Sequence, residues 1–415
     1  MSTTSTENSV IVIDFASEIF YNTIIDNHHK FREYINIQYE NHPELFPSAF
    51  KQGFHFHGFR HSKKQSGFRT RRILLPGSKK VYSLRPSFMF SYQRAKTEEV
   101  EKALFLRRWT VPFSALTYCF GRNDMFWYRA LLSLGKPSVV GTTVKKETPI
   151  PVHLLADEKH TRWLGSKAYI ATTVGKGCLL GVSLAESAGE VELTKAYGVF
   201  AQEAQEQKPD YEPKTVNTDG WLATQNALKS LFGGITIILC FLHAWLSIRK
   251  RCKSNKPLLA AIGEKVWEVY HASSLGSFSQ RIRHLRTWAV ATIEQQWVLK
   301  KVIALCDKRD SFKPSFSFPD CHRTSNALDR LMDYQDRMLY AMRYFHGDGE
   351  SCEMYLRATA LLWNFHPLSP RVLVKGEQVT SPFERLNGFR YHDNWLQNLM
   401  IAASIGGQSQ SHQIR

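Results

Sequence analysis

The sharpest hydrophobic pattern in the chain lies between residues 152 and 240. Three short apolar runs, 152–156, 167–174 (KAYIATTV) and 177–184 (GCLLGVSL), are bounded by Gly, Ser or an acid and sit at hairpin spacing. They predict three strands in an antiparallel meander. The period then changes: Leu193, Ala196, Tyr197, Phe200 and Ala204 fall three and four apart, the apolar face of a helix over 191–207. A short strand within 213–220, a helix over 221–232 and an apolar strand over 235–240 complete the order β-β-β-α-β-α-β. Asp157 ends the first run, and Asp219 ends the fourth.

Helical patterns lie on both sides. Thr97 with Glu98, Glu99 and Glu101 predicts a helix start, a capping hydroxyl followed by acids at the positive dipole end. Ser114 can cap a short helix through Phe120, Gly121 supplies a turn, and Asn123 or Asp124 can cap a second helix over 124–134. This is a helix-turn-helix layout whose second helix would enter the DNA major groove, with Arg122, Asn123 and Arg129 available for phosphates or base edges. Any small helical hairpin with a Gly turn would look the same. Residues 138–151 (SVVGTTVKKETPIP) break the helical pattern and predict a domain boundary. Residues 256–310 read as helices throughout, Pro314 and Pro319 interrupt, and Thr324 or Ser325 can cap a further helix with Leu328, Leu331, Met332, Leu339 and Met342 on its apolar face. The expected division is an N-terminal helical segment (1–44), a basic segment (45–96), a helix-turn-helix domain (97–140), an α/β core in two parts (150–250 and 319–368) around an all-helical insertion (251–318), and a tail (369–415) that packs or self-associates and frays at its end.

Composition narrows the partners. With 415 residues, 43% hydrophobic and 22% charged, the chain suits two or three globular domains. Its 54 Lys and Arg against 37 Asp and Glu leave +17, which favours a polyanion. A membrane is the weaker choice: the most apolar run, 233–246, contains His243 and is shorter than the roughly 20 residues a span requires. No secretory signal is visible, and seven scattered cysteines, never spaced CxxC, argue against a disulfide framework or a Cys-rich zinc module. The expected setting is cytoplasmic and nucleoid-associated. Between 45 and 97 there is no Asp or Glu but twelve Lys or Arg, interleaved with aromatic residues. Strands at 72–75 and 81–84 flank a Pro76-Gly77-Ser78 turn. A solvated basic face is the bland reading; contact with DNA phosphates through Arg60, Lys63, Lys64, Arg69, Arg71 and Arg72 is the better one.

The β-β-β-α-β-α-β order is the RNase H-like arrangement, in which the first and fourth strands are neighbours. Asp157 and Asp219 would then meet at the sheet's edge and repel unless a cation lies between them. Oxygen-only ligation points to Mg²⁺ or Mn²⁺, and two ions about 3.5–4 Å apart would clamp the oxygens of an in-line displacement at phosphorus. A lone Asp after a strand is more often a turn residue; two at these positions argue for a site.

Asp157 in LLADEKH, Asp219 in VNTDG, and Cys240-x-x-His243 in CFLH leading to IRKR resemble the DDE transposases of bacterial insertion sequences and the Mutator-type transposases. The resemblance covers about 152–367 and implies an RNase H-like catalytic core with a helical insertion before a third acid. The family's T-x-N-x-x-E pattern is matched by Thr324, Asn326 and Asp329, with Asp in place of Glu. Asp333, Glu350 and Glu353 are rivals for that role, and Glu158 a weaker one because neighbouring strand residues face opposite ways. Within this resemblance Asp157, Asp219 and Asp329 hold two divalent ions. His243 contacts the scissile phosphate or orients Asp219. Cys240 and His243 lack two ligands for zinc, and Cys240 is as readily structural. Arg343 could approach phosphate or serve as an exposed ion-pair partner. The implied activity is DNA transposition by a dimer or larger assembly: binding of the element's terminal repeats, strand cleavage and transfer to target DNA, without a covalent intermediate. A nuclease without strand transfer, and a non-catalytic DNA binder such as a repressor or decayed transposase, are the alternatives.

Overall fold

In the computed structural model, residues 9–61, 68–90, 95–373 and 378–408 are described; Lys63 and Lys64 lie outside them. The N-terminal VIVI run forms β1 (Val10–Ile13), followed by α1 (Glu18–Ile24) and α2 (His28–Asn41). The basic segment then supplies β2 (His55–His61), β3 (Arg69–Leu75) and β4 (Lys80–Pro86), in sheet order β1-β4-β3-β2. β3 and β4 form a hairpin closing at Leu75 opposite Lys80. β1 lies parallel to β4, Ile13 beside Pro86, so segments 1–44 and 45–96 share one sheet and one core instead of forming separate units.

Three helices follow: α3 (Thr97–Arg108), α4 (Phe113–Phe120) and α5 (Asp124–Ser133). Thr97 does not cap α3. Its hydroxyl is buried and donates to the Ser87 carbonyl at 2.7 Å, while Lys96 occupies the cap position. Pro112, not Ser114, precedes α4. Gly121 and Arg122, with φ of 70° and 66°, turn the chain, and the Asn123 side chain caps α5 by accepting from Phe126 N–H at 2.8 Å.

The first part of the expected boundary at 138–151 is instead buried from Val139 to Lys145, while Lys146, Glu147 and Pro149 are exposed. Ser138 caps a short helix, α6 (Val139–Thr143), whose five residues are all buried. A Cβ on Gly141 would strike the Gly407 carbonyl oxygen, so only glycine allows this approach of two backbones. Small residues that looked like a linker are there because the packing leaves no room for larger ones.

The second sheet contains β5 (His153–Trp163), β6 (Ser166–Gly175), β7 (Cys178–Ala185), β8 (Thr215–Thr218) and β9 (Thr236–Leu239), with α7 (Glu190–Gln207) between β7 and β8 and α8 (Leu222–Leu231) between β8 and β9. Its order is β7-β6-β5-β8-β9; β5, β6 and β7 are antiparallel, and β8 and β9 run parallel to β5. β5 does not end at Asp157 but continues six residues to Trp163, and it is the central strand. The two acids therefore sit at the carboxyl end of the sheet's parallel half and not at an edge.

After β9 come α9 (Phe241–Cys252), α10 (Lys256–Tyr270), α11 (Leu275–Thr292), α12 (Gln296–Asp307) and the short α13 (Arg309–Phe312). These helices bury a core of their own, and Phe241, Ile248 and Cys252 belong to it, so the helical unit begins at α9, ten residues before the expected 251. The chain returns through α14 (Asn326–Ala341) and α15 (Gly349–Phe365); α15 packs across β7 and against α5. Finally α16 (Pro382–Asn387) leads to α17 (Trp395–Ala402), every residue of which is buried. α17 ties the tail to the N-terminal sheet: Ser87 Oγ donates to Gln397 Oε1 at 2.7 Å, and Ser404 Oγ donates to Leu45 O at 2.7 Å. Among the described residues, no helix is long and apolar enough to cross a membrane.

The junction of these parts is fastened by a buried ion pair. Arg357 on α15 bonds Glu203 on α7 at 2.6 Å and donates to the carbonyls of Gly135 and Pro137. Glu203 in turn accepts from Ser138 Oγ and Val140 N–H. Removing one partner strands the other charge, at a cost of about 3–5 kcal/mol. Arg357→Met is expected to lower the thermal unfolding temperature by several degrees, whereas the double change with Glu203→Met recovers part of that loss; equal unfolding temperatures for wild type and Arg357→Met would contradict this role.

Candidate active site

The parallel pairing of β5 with β8 places Leu155 beside Asn217. Asp157 stands two residues further along β5, on the same face as Leu155 by the two-residue period, and Asp219 is the first residue past the end of β8. Asp157 is partly buried and accepts from the Glu158 backbone N–H at 2.8 Å. Burial, with the Asp219 charge next in weight, pushes its carboxyl up from 3.8 to about 6. Asp219 is exposed and accepts from Trp221 N–H at 2.9 Å; Gly220, at φ 102°, lets the chain bend away immediately after it. Asp219 is thus a turn residue and, through its charge, a neighbour of Asp157.

His243 and Asp329 complete this neighbourhood, since both act on the Asp157 charge. Cys240 occupies the cap position of α9, with its side chain buried. Its sulfur accepts from Ser325 N–H and contacts Ser325 Oγ, both at 3.2 Å, and Ser325 Oγ lies 3.5 Å from His243 Nδ1. Burial alone would raise the Cys240 thiol, but the hydrogen bonds from His243 and Ser325 outweigh it and hold it below the usual range. The bond to Cys240, aided by the charges of Asp157 and Asp219, raises His243 to about 9, so this imidazole is a cation at neutral pH. Two backbone contacts reinforce the latch: Phe241 N–H donates to Arg323 O at 3.1 Å, and Asn217 Nδ2 donates to His322 O at 3.0 Å. The Cys-x-x-His spacing therefore pins the end of the helical insertion to the carboxyl ends of β8 and β9. Four residues after Ser325, in the first turn of α14, comes Asp329, whose carboxyl is raised by burial against the lowering effect of His243.

The rival acids are occupied elsewhere or set apart. Glu353 accepts from Ser183 Oγ and Leu184 N–H on β7, the far strand of the sheet. Asp333 lies one turn beyond Asp329 and raises it by repulsion. Glu350 sits in the first turn of α15. Glu158 points to the other face of β5, where its Oε1 accepts from Tyr197 and Thr224 hydroxyls at 2.6 Å each. Burial pushes Glu158 to about 7, and its second oxygen has no partner among the described residues. Ser325 stands at the cap position of α14 that the sequence offered to it or Thr324. Sequence spacing carries no sign of its contact with Cys240, of this Tyr197–Glu158–Thr224 group, or of the ion pair between Lys159 and Asp336 that ties β5 to α14.

The basic residues divide differently. Arg71 is not a DNA contact: it is 2% exposed, donates twice to Ile25 O, and lies over the Phe56 and Phe59 rings at 4.4 and 4.5 Å. The alternation along β3 turns it into the N-terminal core with Ile73 and Leu75. Arg69 pairs with Asp26 at 2.6 Å, Arg72 is partly buried on the opposite face of the strand, and Arg60 is exposed on β2. Arg122 pairs with Glu99 at 3.2 Å, the Asn123 side chain serves as a cap, and Arg129 is exposed on α5.

Among the described residues, no three His, Cys, Asp or Glu side chains converge into a ready-made metal cage. The fit to a divalent cation rests on the Asp157–Asp219 pair, an all-oxygen donor set whose repulsion and desolvation such an ion would relieve. No known protein family's sequence pattern matches the chain, and no curated protein does. Among solved structures, a chain of the simian T-cell lymphotropic virus intasome in complex with PP2A regulatory subunit B56 gamma is 13% identical over 50% of this chain and 67% of that one, with a TM-score of 0.18. A likeness this low carries no weight for the fold or the function.

The folded Asp157 carboxyl keeps its proton at pH values where an unfolded one, near 3.8, has lost it. Without divalent cations, stability tied to this group is therefore greatest below pH 4 and is lost as the pH rises through about 6. Asp157→Asn is expected to unfold roughly 1–3 °C above wild type at pH 7.5 in chelator, and level with it at pH 4. Equal unfolding temperatures at pH 7.5 would show that the carboxylate is not under electrostatic strain.

Proposed function

We propose that this protein is a DNA transposase of the DDE type, with an RNase H-like core that cleaves and rejoins DNA strands using divalent cations. The observation that supports this most is the register of β5 and β8, which sets Asp157 and Asp219 abreast at the carboxyl end of the sheet's parallel half. The strand order β7-β6-β5-β8-β9, three antiparallel strands followed by two parallel to the first, supports reading the core as RNase H-like. An all-helical unit between β9 and the helix bearing Asp329 fits the same reading.

In this proposal Asp157 and Asp219 hold Mg²⁺ or Mn²⁺, and Asp329 closes the set from α14. Bound ions of this kind neutralise charge on a phosphodiester and activate water or a 3′-hydroxyl for in-line attack. The chain's own residues have distinct tasks. Asp157 is fixed within β5, and Asp219 in the turn leaving β8 by the bond from Trp221 N–H. The Cys240–Ser325 contact fixes where α14 begins and hence where Asp329 stands. The His243 cation offers a positive group to a phosphate oxygen beside the acids. No residue is required as a covalent nucleophile. The basic N-terminal sheet and the α4–α5 pair would hold the element's ends, and synapsis of two ends calls for a dimer or larger assembly.

The test is cleavage of a duplex carrying the inverted repeats that flank the coding region, with Mg²⁺ present. Asp219→Asn should reduce cleavage by about 10³-fold or more, because the lost charge stabilisation amounts to several kcal/mol. Wild type should also yield covalently joined strand-transfer product. Equal cleavage by the two proteins would overturn the acid assignment. Cleavage without joining would make the protein a nuclease, and tight binding without cleavage in Mg²⁺ or Mn²⁺ a non-catalytic DNA binder.

A further inference from the structure

Beyond Asp157, strand β5 continues with β6 as a hairpin that projects past the parallel half of the sheet. From 159 to 185 the chain has no Asp or Glu. His160, Arg162 and Lys167 are all exposed on this hairpin, and with Tyr344 they line an open cavity of about 440 Å³. The opposite wall is the segment joining α14 to α15, which is bonded to the hairpin: Phe345 N–H donates to Arg162 O at 3.1 Å, Leu164 N–H donates to Phe345 O at 2.9 Å, and Trp163 Nε1 donates to Gly347 O at 2.9 Å. Of this segment Tyr344 lines the cavity; Arg343 and His346 beside it are exposed, and the next acid along the chain is Asp348. Arg343 and Tyr344 have φ of 56° and 69°, two successive non-glycine residues in the left-handed region. Such a conformation costs energy, and it sets Tyr344 at the mouth of the cavity.

The cavity is joined to the acids by a row of rings. Trp221, whose N–H is bonded to Asp219, stands 5.7 Å from the Tyr169 ring. Tyr169 in turn lies 4.9 Å from the His160 ring and 5.2 Å beneath Lys167 Nζ. At about 3.3 Å per residue, Arg162 stands roughly 17 Å beyond Asp157 along β5, the axial rise of about five base pairs. By the two-residue period His160 and Arg162 share the face of Glu158 and Tyr169, and it is the row through Tyr169 and Trp221 that leads from this face to Asp219 at the end of β8.

We propose that this hairpin and the facing 343–346 turn form a second nucleic-acid contact, a strip that holds the phosphodiester backbone of the DNA next to the strand being cut. The inference rests on the transposase reading for its ligand but not for its geometry. A run of exposed cations with no acid, reached from a carboxylate pair through aromatic side chains, suits a phosphate backbone with adjacent bases better than an acidic peptide. It also accounts for a hairpin that extends past the parallel half of the sheet.

The test uses the full-length protein and a 30-base-pair duplex of arbitrary sequence in chelator. Arg162→Gln with Lys167→Gln should make the plot of log affinity against log salt shallower by about 2, at roughly 0.9 for each phosphate no longer neutralised, and Arg162→Lys with Lys167→Arg should restore it. In wild type, the duplex should protect Lys167 from acetylation by an N-hydroxysuccinimide ester, read by mass spectrometry, whereas polyglutamate at equal charge should not. An unchanged slope overturns the strip, as does protection by polyglutamate but not by DNA, which would assign the surface to an acidic protein. Failure of the transposase reading is seen separately: Asp219→Asn would cleave like wild type while Lys167 stayed protected.

Discussion

Two carboxylates, one within a central strand and one in the turn that leaves the adjacent parallel strand, repel each other, and the surrounding fold is what keeps them together. Asp157 is held within β5 at the centre of the sheet, and Asp219, first residue after β8, is held by the Trp221 N–H and the sharp bend at Gly220. Burial first and the Asp219 charge second raise the Asp157 carboxyl to about 6, next to a cationic His243. Stored electrostatic strain of this kind is what a divalent cation relieves, and it gives the pair a use that a single Asp at a strand end does not have.

The rest of the molecule positions a third group against that pair. Between β9 and α14 the chain makes a long helical excursion with its own apolar core, and such an insertion could leave its exit point loosely defined. Here the exit is fixed where the excursion began: Cys240 takes hydrogen bonds from Ser325, Phe241 bonds Arg323, and Asn217 bonds His322. The Lys159–Asp336 ion pair holds α14 along β5. In this arrangement Cys240 and His243 position α14, with the further consequence that a positive charge stays beside the acids.

Much of the α/β core could be read from periodicity. Alternating or continuous apolar runs at 167–174 and 177–184 became β6 and β7 within a residue at each end, and the three-and-four spacing of Leu193, Ala196, Tyr197 and Phe200 became α7. Asp157 and Asp219 were visible because each follows such a run. The boundaries that were misread share a cause, which is tertiary contact overriding local pattern. Residues 138–151 read as a boundary because they break the helical pattern and end in two prolines, whereas their first part packs inside as α6, where Gly141 meets Gly407. β5 reads as ending at an acid because its outer half, Lys159 to Trp163, is polar and exposed in part; it remains a strand through its pairing with β6. Arg71 looked like its neighbours in a basic stretch, but strand alternation points it inward onto Phe56 and Phe59. Ser325 was legible only as a candidate cap, a position it does occupy at the start of α14; its contact with Cys240, 85 positions away, left no mark in the local pattern.

The most direct measurement is a crystal structure of the protein bound to duplex DNA in the presence of Mn²⁺, with anomalous data collected at the manganese edge. The account predicts an anomalous peak between the carboxylates of Asp157 and Asp219, within about 2.3 Å of an oxygen from each, and a DNA phosphate on the ion's open side. DNA bound with no manganese between these two carboxylates, or with the metal held elsewhere on the chain, would contradict it.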